Sequence, residues 1–172
     1  IERSFVLEGI LLIWSCIRNA SLRKGHLVKG RLSPSFRPKE RWCMGKKDAE
    51  AWLDFAKDDL DAAKYLLGME KRSLEIICYH CQQCAEKALK GLYALEGVEI
   101  PRTHDFGVLV AGIKMVCDVS DLMSELAQLQ PFAVSVRYPY EMELLPGDDE
   151  KAISSTDVIY ARCMKYVNLK TG

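Results

Sequence analysis

The sequence predicts an all-α protein, on three observations. From residue 48 onward apolar side chains recur at three- and four-residue intervals over several helical turns at a time. No stretch alternates long enough to make a sheet, and glycine, proline and capping residues fall between the periodic stretches. With 172 residues, 49% of them hydrophobic and 28% charged, the chain has material for one hydrophobic core.

The first helix is written in DAEAWLDFAKDDLDAAKYLLGME. Trp52, Phe55, Ala56, Ala63, Leu66 and Leu67 are expected on one stripe, with Asp48 as N-cap, Glu50 adding negative charge in the first turn and Gly68 as the stop. Asp59 breaks the pattern: at about 100° per residue it falls roughly 20° from Trp52, inside the apolar stripe, whereas Asp54, Asp58 and Asp61 lie off its centre. A carboxylate there requires an Arg, Lys or hydroxyl partner from another helix, unless a rotation of the helix leaves it at the rim.

The second helix is expected from Ser73, its N-cap, to about Glu96, where Gly97 ends it. Leu74, Ile77, Cys81, Cys84, Ala88, Gly91 and Leu95 are spaced three and four apart, a seam whose small residues let a neighbouring helix approach. After a loop with Pro101, a third helix over about 104 to 117 starts from Thr103 as N-cap, with Asp105 in its first turn and Gly107 and Gly112 inside. A fourth runs from about Ser120 or Asp121 to Val136, kinked at Pro131, and carries Leu122, Leu126, Leu129, Ala133 and Val136 on one stripe. An irregular VRYPYEMELLPG connection leads to the last helix, about Asp148 to Leu169.

The zero net charge hides an asymmetry, since residues 1 to 47 carry about +8 and residues 48 to 172 about −8. Residues 1–43 form a basic leader, scattered with Gly and Pro beyond Arg18, expected to be disordered or not native to the domain, which begins at 44 and runs to 172. The rival reading is a basic arm that binds nucleic acid or an acidic partner. The apolar run Phe5 to Ile17 is too short for a membrane span, which needs roughly 20 residues. The seven cysteines, odd in number and set in helical pattern, fit a reducing cytoplasm.

Three of those cysteines crowd into Cys78-Tyr-His-Cys-Gln-Gln-Cys84, which resembles part of an iron–sulfur ligand set. The fourth cysteine such a set needs is Ala88 here, and three thiols over two turns of one helix rise roughly 9 Å, too far to converge on one ion. The reading is packing, with no metal and no cofactor. Beside them Gln83, Glu86, Lys87 and Lys90 cluster away from the seam or at its edge, and their i, i+4 pairs would on their own read as a solvated face.

Four motifs in order give this more meaning: Ala56-x-x-Asp59-Leu60-x-x-Ala63, then Gln83 to Lys90 as Q-x-x-E-K-A-L-K, then Arg102-Thr-His-Asp105, then Val136-Arg-Tyr-Pro139. Over roughly 48 to 169 the chain resembles the HEPN family, the higher-eukaryote and prokaryote nucleotide-binding domains. The resemblance implies an up-and-down antiparallel bundle of four to five helices and a homodimer. It also implies a nucleotide or RNA ligand and a minimal nucleotidyltransferase as protein partner, in a prokaryotic two-gene system of toxin–antitoxin or defence type.

In the family's ribonuclease branch an Arg is followed by a His after four to six residues, the Arg stabilising phosphate charge and the His moving a proton. After Arg137 the three corresponding places hold Met142, Glu143 and Leu144. The expectation is therefore a non-catalytic binding subunit, with Lys87, Lys90, His104, Arg137 and Tyr138 as nucleotide or phosphate ligands. Asp59, Gln83, Glu86 and Arg137 are expected to form a structural polar network. The alternatives are a ribonuclease using Arg137 with Glu141 or Glu143 as acid or base, and a purely structural helical dimer.

Overall fold

The computed structural model describes residues 45–135 and 143–171, with the side chains of Val134 and Ser135 left aside. The basic leader, Arg137, Tyr138 and Glu141 lie outside the described residues. Six α-helices are described: α1 (Lys46–Leu67), α2 (Leu74–Leu95), α3 (Phe106–Ile113), α4 (Met123–Leu129), α5 (Phe132–Ser135) and α6 (Asp148–Thr171). A single 3₁₀ turn, Ser120–Leu122, leads into α4. No strand occurs among the described residues.

Cross-helix contacts give the directions. Gly91 of α2 lies against Ala49, Trp52 and Leu53 of α1, while Asp59 further along α1 meets His80 nearer the start of α2, so the two helices are antiparallel. Along α6, Arg72 meets Asp149, Thr156 Oγ1 donates to the Cys81 carbonyl and Tyr166 Oη donates to Glu96, so α6 runs parallel to α2. Pairs from Asp121 to Arg162 and from Gln128 to Ser155 set α4 antiparallel to α6. Four legs therefore run up and down, the third made of α4 and α5, with α3 as a short extra helix.

The first helix begins one turn earlier than its acidic residues suggested. Gly45 stands at the N-cap, and Asp48 Oδ2 accepts from the Gly45 amide from inside the first turn. The face of α1 turned inward is Leu53, Ala56, Asp59, Leu60 and Ala63. This places Asp59 in the core, as its phase required, but leaves Trp52 half-buried and Phe55 exposed, contrary to the predicted stripe.

The helix α2 is the centre of the bundle, touching α1, α3, α4, α5 and α6, and it is buried on almost every side. Gly91 allows α1 to approach, since a Cβ there would already stand 3.4 Å from the Ala49 carbonyl oxygen. Gly97, at φ +65°, supplies the left-handed turn that ends α2, and the Val98 amide donates to the Tyr93 carbonyl.

The short helices differ most from expectation. Asp105, not Thr103, caps α3: its Oδ1 accepts from the Val108 amide, while Thr103 Oγ1 accepts from the Asp105 amide. The helix stops at Ile113, whose carbonyl takes both the Val116 and Cys117 amides in closing turns. Gly112 lies against the Tyr93 hydroxyl, which donates 2.5 Å to the Leu109 carbonyl, so a side chain at 112 would displace this bond. The predicted fourth helix is broken at Gln130–Pro131, where proline has no amide to continue the ladder, instead of kinked.

Candidate functional site

The three cysteines of α2 are fully buried in the hydrophobic core. Loss of water disfavours their thiolates, pushing Cys78 and Cys81 up to about 12 and raising Cys84 as well. Thiols in that state are packing groups and poor nucleophiles.

The chemistry of the helix lies in the polar residues between the cysteines. Asp59, 5% exposed, enters the interface of α1 with α2. Its Oδ1 accepts from His80 Nδ1 at 3.0 Å, and its Oδ2 accepts from Lys87 Nζ. Because a carboxylate only accepts, Nδ1 carries the hydrogen of this contact. His80 and Lys87 are seven residues apart on one face of α2, so one carboxylate on α1 bridges two turns of its neighbour.

One turn along α2 stands a second buried carboxylate. Glu86, 4% exposed, accepts from Lys90 Nζ at 2.7 Å, His104 Nδ1 at 2.8 Å and Gln82 Nε2 at 3.1 Å. Burial by itself would raise the Glu86 carboxyl, but the bonds from Lys90, His104 and Gln82 outweigh it and hold the group below its ordinary value. Gln83 Nε2 donates 2.8 Å to Gln82 Oε1, and Lys90 Nζ stands 6.0 Å from the Trp52 ring centroid, where its charge meets the π face.

The face that i, i+4 spacing alone would read as solvated is a buried polar seam. The loop after α2 folds over it: His104 reaches back to Glu86, its carbonyl accepts from Gln130 Nε2, and Gln130 Oε1 accepts from the Phe106 amide at 2.7 Å. Loop, α3 and the junction of α4 with α5 are tied to α2 through one carboxylate.

Of the residues singled out in the sequence, the structure brings Asp59, Gln83, Glu86, Lys87, Lys90 and His104 into this seam. Both oxygens of Asp59 are occupied by His80 and Lys87. Glu143 is exposed and lines a cavity of about 280 Å³ with Phe132, Leu144 and Lys151. Sequence reasoning missed His80, Gln82 and Gln130. Only His80 left a signal, two turns before Lys87 on the same stripe as Gln83.

The charges of Asp59, Glu86, Lys87 and Lys90 cancel, so the seam offers an incoming anion no net field. His104 differs: its side chain is 58% exposed while its Nδ1 is held by Glu86, which fixes the orientation of the ring. Arg102, two residues away, is exposed and makes no ion pair among the described residues. His104 and Arg102 are thus exposed in this region, whereas Lys87 and Lys90 are engaged by carboxylates.

The described residues thus form a four-legged helical bundle with a charged seam between its first two helices and a largely exposed Arg-Thr-His-Asp loop. The HEPN domain model matches residues 49–166, and the chain belongs to that family. Two solved structures are similar to it. TT1696 from Thermus thermophilus is 28% identical with a TM-score of 0.59, over 68% of this chain and 96% of that one. ST0689, an archaeal HEPN homologue, is 27% identical with a TM-score of 0.56, over 69% of this chain and 97% of that one. Among curated proteins there is no match. No helix among the described residues is long and apolar enough to cross a membrane.

Proposed function

We propose that this chain is a non-catalytic, dimeric HEPN subunit that binds a nucleotide or an RNA end and partners a minimal nucleotidyltransferase in a prokaryotic, cytoplasmic two-gene system. The observation that carries the binding reading is His104, oriented by buried Glu86 and exposed beside Arg102. In its imidazolium form His104 has a second N–H at Nε2, and this donor and the Arg102 guanidinium fork both suit phosphate oxygens. Arg137 and Tyr138 complete the proposed set, the first for phosphate and the second for stacking a base. The non-catalytic part rests on Met142, Glu143 and Leu144, which stand where the ribonuclease branch carries its histidine. In the seam, buried His80 and the lysines Lys87 and Lys90 are engaged by carboxylates, which favours a structural role for these three over proton transfer.

Fluorescence anisotropy with a labelled nucleoside triphosphate and a short labelled RNA tests this. One of the two is expected to bind saturably, and His104→Ala or Arg102→Ala is expected to weaken it roughly tenfold, the scale of one charge-assisted hydrogen bond. No saturable binding to either probe would leave the purely structural dimer.

A further inference from the structure

The cavity of about 280 Å³ is lined by Gln128 and Phe132 of the third leg, Glu143 and Leu144 of the connection to α6, and Asp148 and Lys151 of its first turn. Phe132 and Leu144 make its wall apolar on one side, and the other four residues make the rest polar. The volume falls just under the roughly 300 to 1,000 Å³ of pockets that hold whole small molecules, a size that suits one long side chain.

The polar groups select the charge of the occupant. Lys151 Nζ stands 3.2 Å from Asp148 Oδ1, and Asp148 Oδ2 accepts from the Leu145 amide at 2.9 Å. Gln128 Oε1 accepts from Ser155 Oγ at 3.1 Å. Glu143 has no hydrogen-bond or ion-pair partner among the described residues. With Lys151 offset by Asp148, the lining is negative by the charge of Glu143, which disfavours an anion and favours a cation.

Among cations a guanidinium suits the cavity better than an ammonium. Its forked donors take both oxygens of one carboxylate, and it gives up water more readily to lie against an apolar wall. An aliphatic stem behind it covers Phe132 and Leu144. Leu145, next in the chain and 61% exposed, adds an apolar contact of the kind that rings an anchor side chain in a protein interface.

We infer that this cavity takes an arginine side chain from a protein partner, with Glu143 as its bidentate acceptor. The inference rests on the protein-partner reading above and gives that partner a contact; it uses neither His104 nor Arg102.

Amide chemical shifts of the full chain, titrated with a capped leucine–arginine dipeptide, test this. Saturable shifts are expected at Leu144, Leu145 and Lys151, with a Kd of about 1 mM, the scale for so small a probe. The leucine–lysine counterpart and the Glu143→Gln variant are each expected to bind roughly tenfold more weakly. Lys151→Ala removes the competing ammonium and is expected to bind roughly threefold more tightly. Both substituted residues are exposed, so the variants are expected to keep the wild-type circular dichroism. Equal binding by Glu143→Gln, or no saturable shift at these amides, overturns the site and leaves the protein-partner reading standing. Propylguanidinium that binds as tightly as the dipeptide overturns the protein source, and guanosine monophosphate that shifts these amides in place of the dipeptide overturns the arginine. A chain that takes the dipeptide yet copurifies with no nucleotidyltransferase fails the partner reading and keeps this site.

Discussion

Asp59→Ala is expected to be the most destabilising single change in the seam, by about 2 to 4 kcal/mol in urea unfolding. The removed carboxylate is the partner of both His80 and Lys87, and neither has another partner of opposite charge among the described residues. The His80 side chain is 10% exposed and that of Lys87 25%, so the lysine recovers some hydration and the imidazole little, which keeps the loss below that of a fully buried pair. The triple variant Asp59→Leu, His80→Leu, Lys87→Met is expected to regain most of the loss, because apolar groups of similar volume need no partners. If Asp59→Ala unfolds at the wild-type urea concentration, the seam does not hold α1 to α2.

Glu86→Gln is the second, with an expected cost of about 2 to 3 kcal/mol at neutral pH and a pH dependence of its own. The folded-state pKa of Glu86 lies below its ordinary value of 4.5, so its contribution is fully present above that pH. It is lost as the pH falls through the lowered folded value. Wild type and Glu86→Gln should therefore differ most at pH 6 to 7, an interval of about two units above the ordinary carboxyl value, and converge under acid. The variant also frees His104 and with it the loop that Gln130 ties to α3. Amide exchange at Phe106 and Val108 is expected to quicken. A constant difference down to strong acid would mean that Glu86 is not ionised in this network.

Much of this was legible in the sequence, because helical period and capping are local. Asp59 was readable as a buried charge from its phase alone, and Cys81, Cys84, Ala88 and Gly91 as a close-packed seam. What misled was the assumption that a helix has one wet side. Glu86 and Lys90 look like a surface pair until α2 is seen surrounded by five other helices and closed over by the loop bearing His104. The partners His80 for Asp59 and His104 for Glu86 are set by tertiary placement, which spacing along one helix cannot specify. The same holds for α3, which ends in closing turns at Ile113.

The proposed binding subunit and its ribonuclease rival differ over the residues that follow Arg137. The most direct measurement is to incubate end-labelled single-stranded RNA with the purified full chain and with Arg137→Ala, and to follow binding by gel shift and chain length by denaturing gel. The expected result is RNA left intact by both proteins, with any RNA retained by the wild type retained less by Arg137→Ala. Cleavage by the wild type that disappears in Arg137→Ala would contradict the account and assign the chain to the ribonucleases.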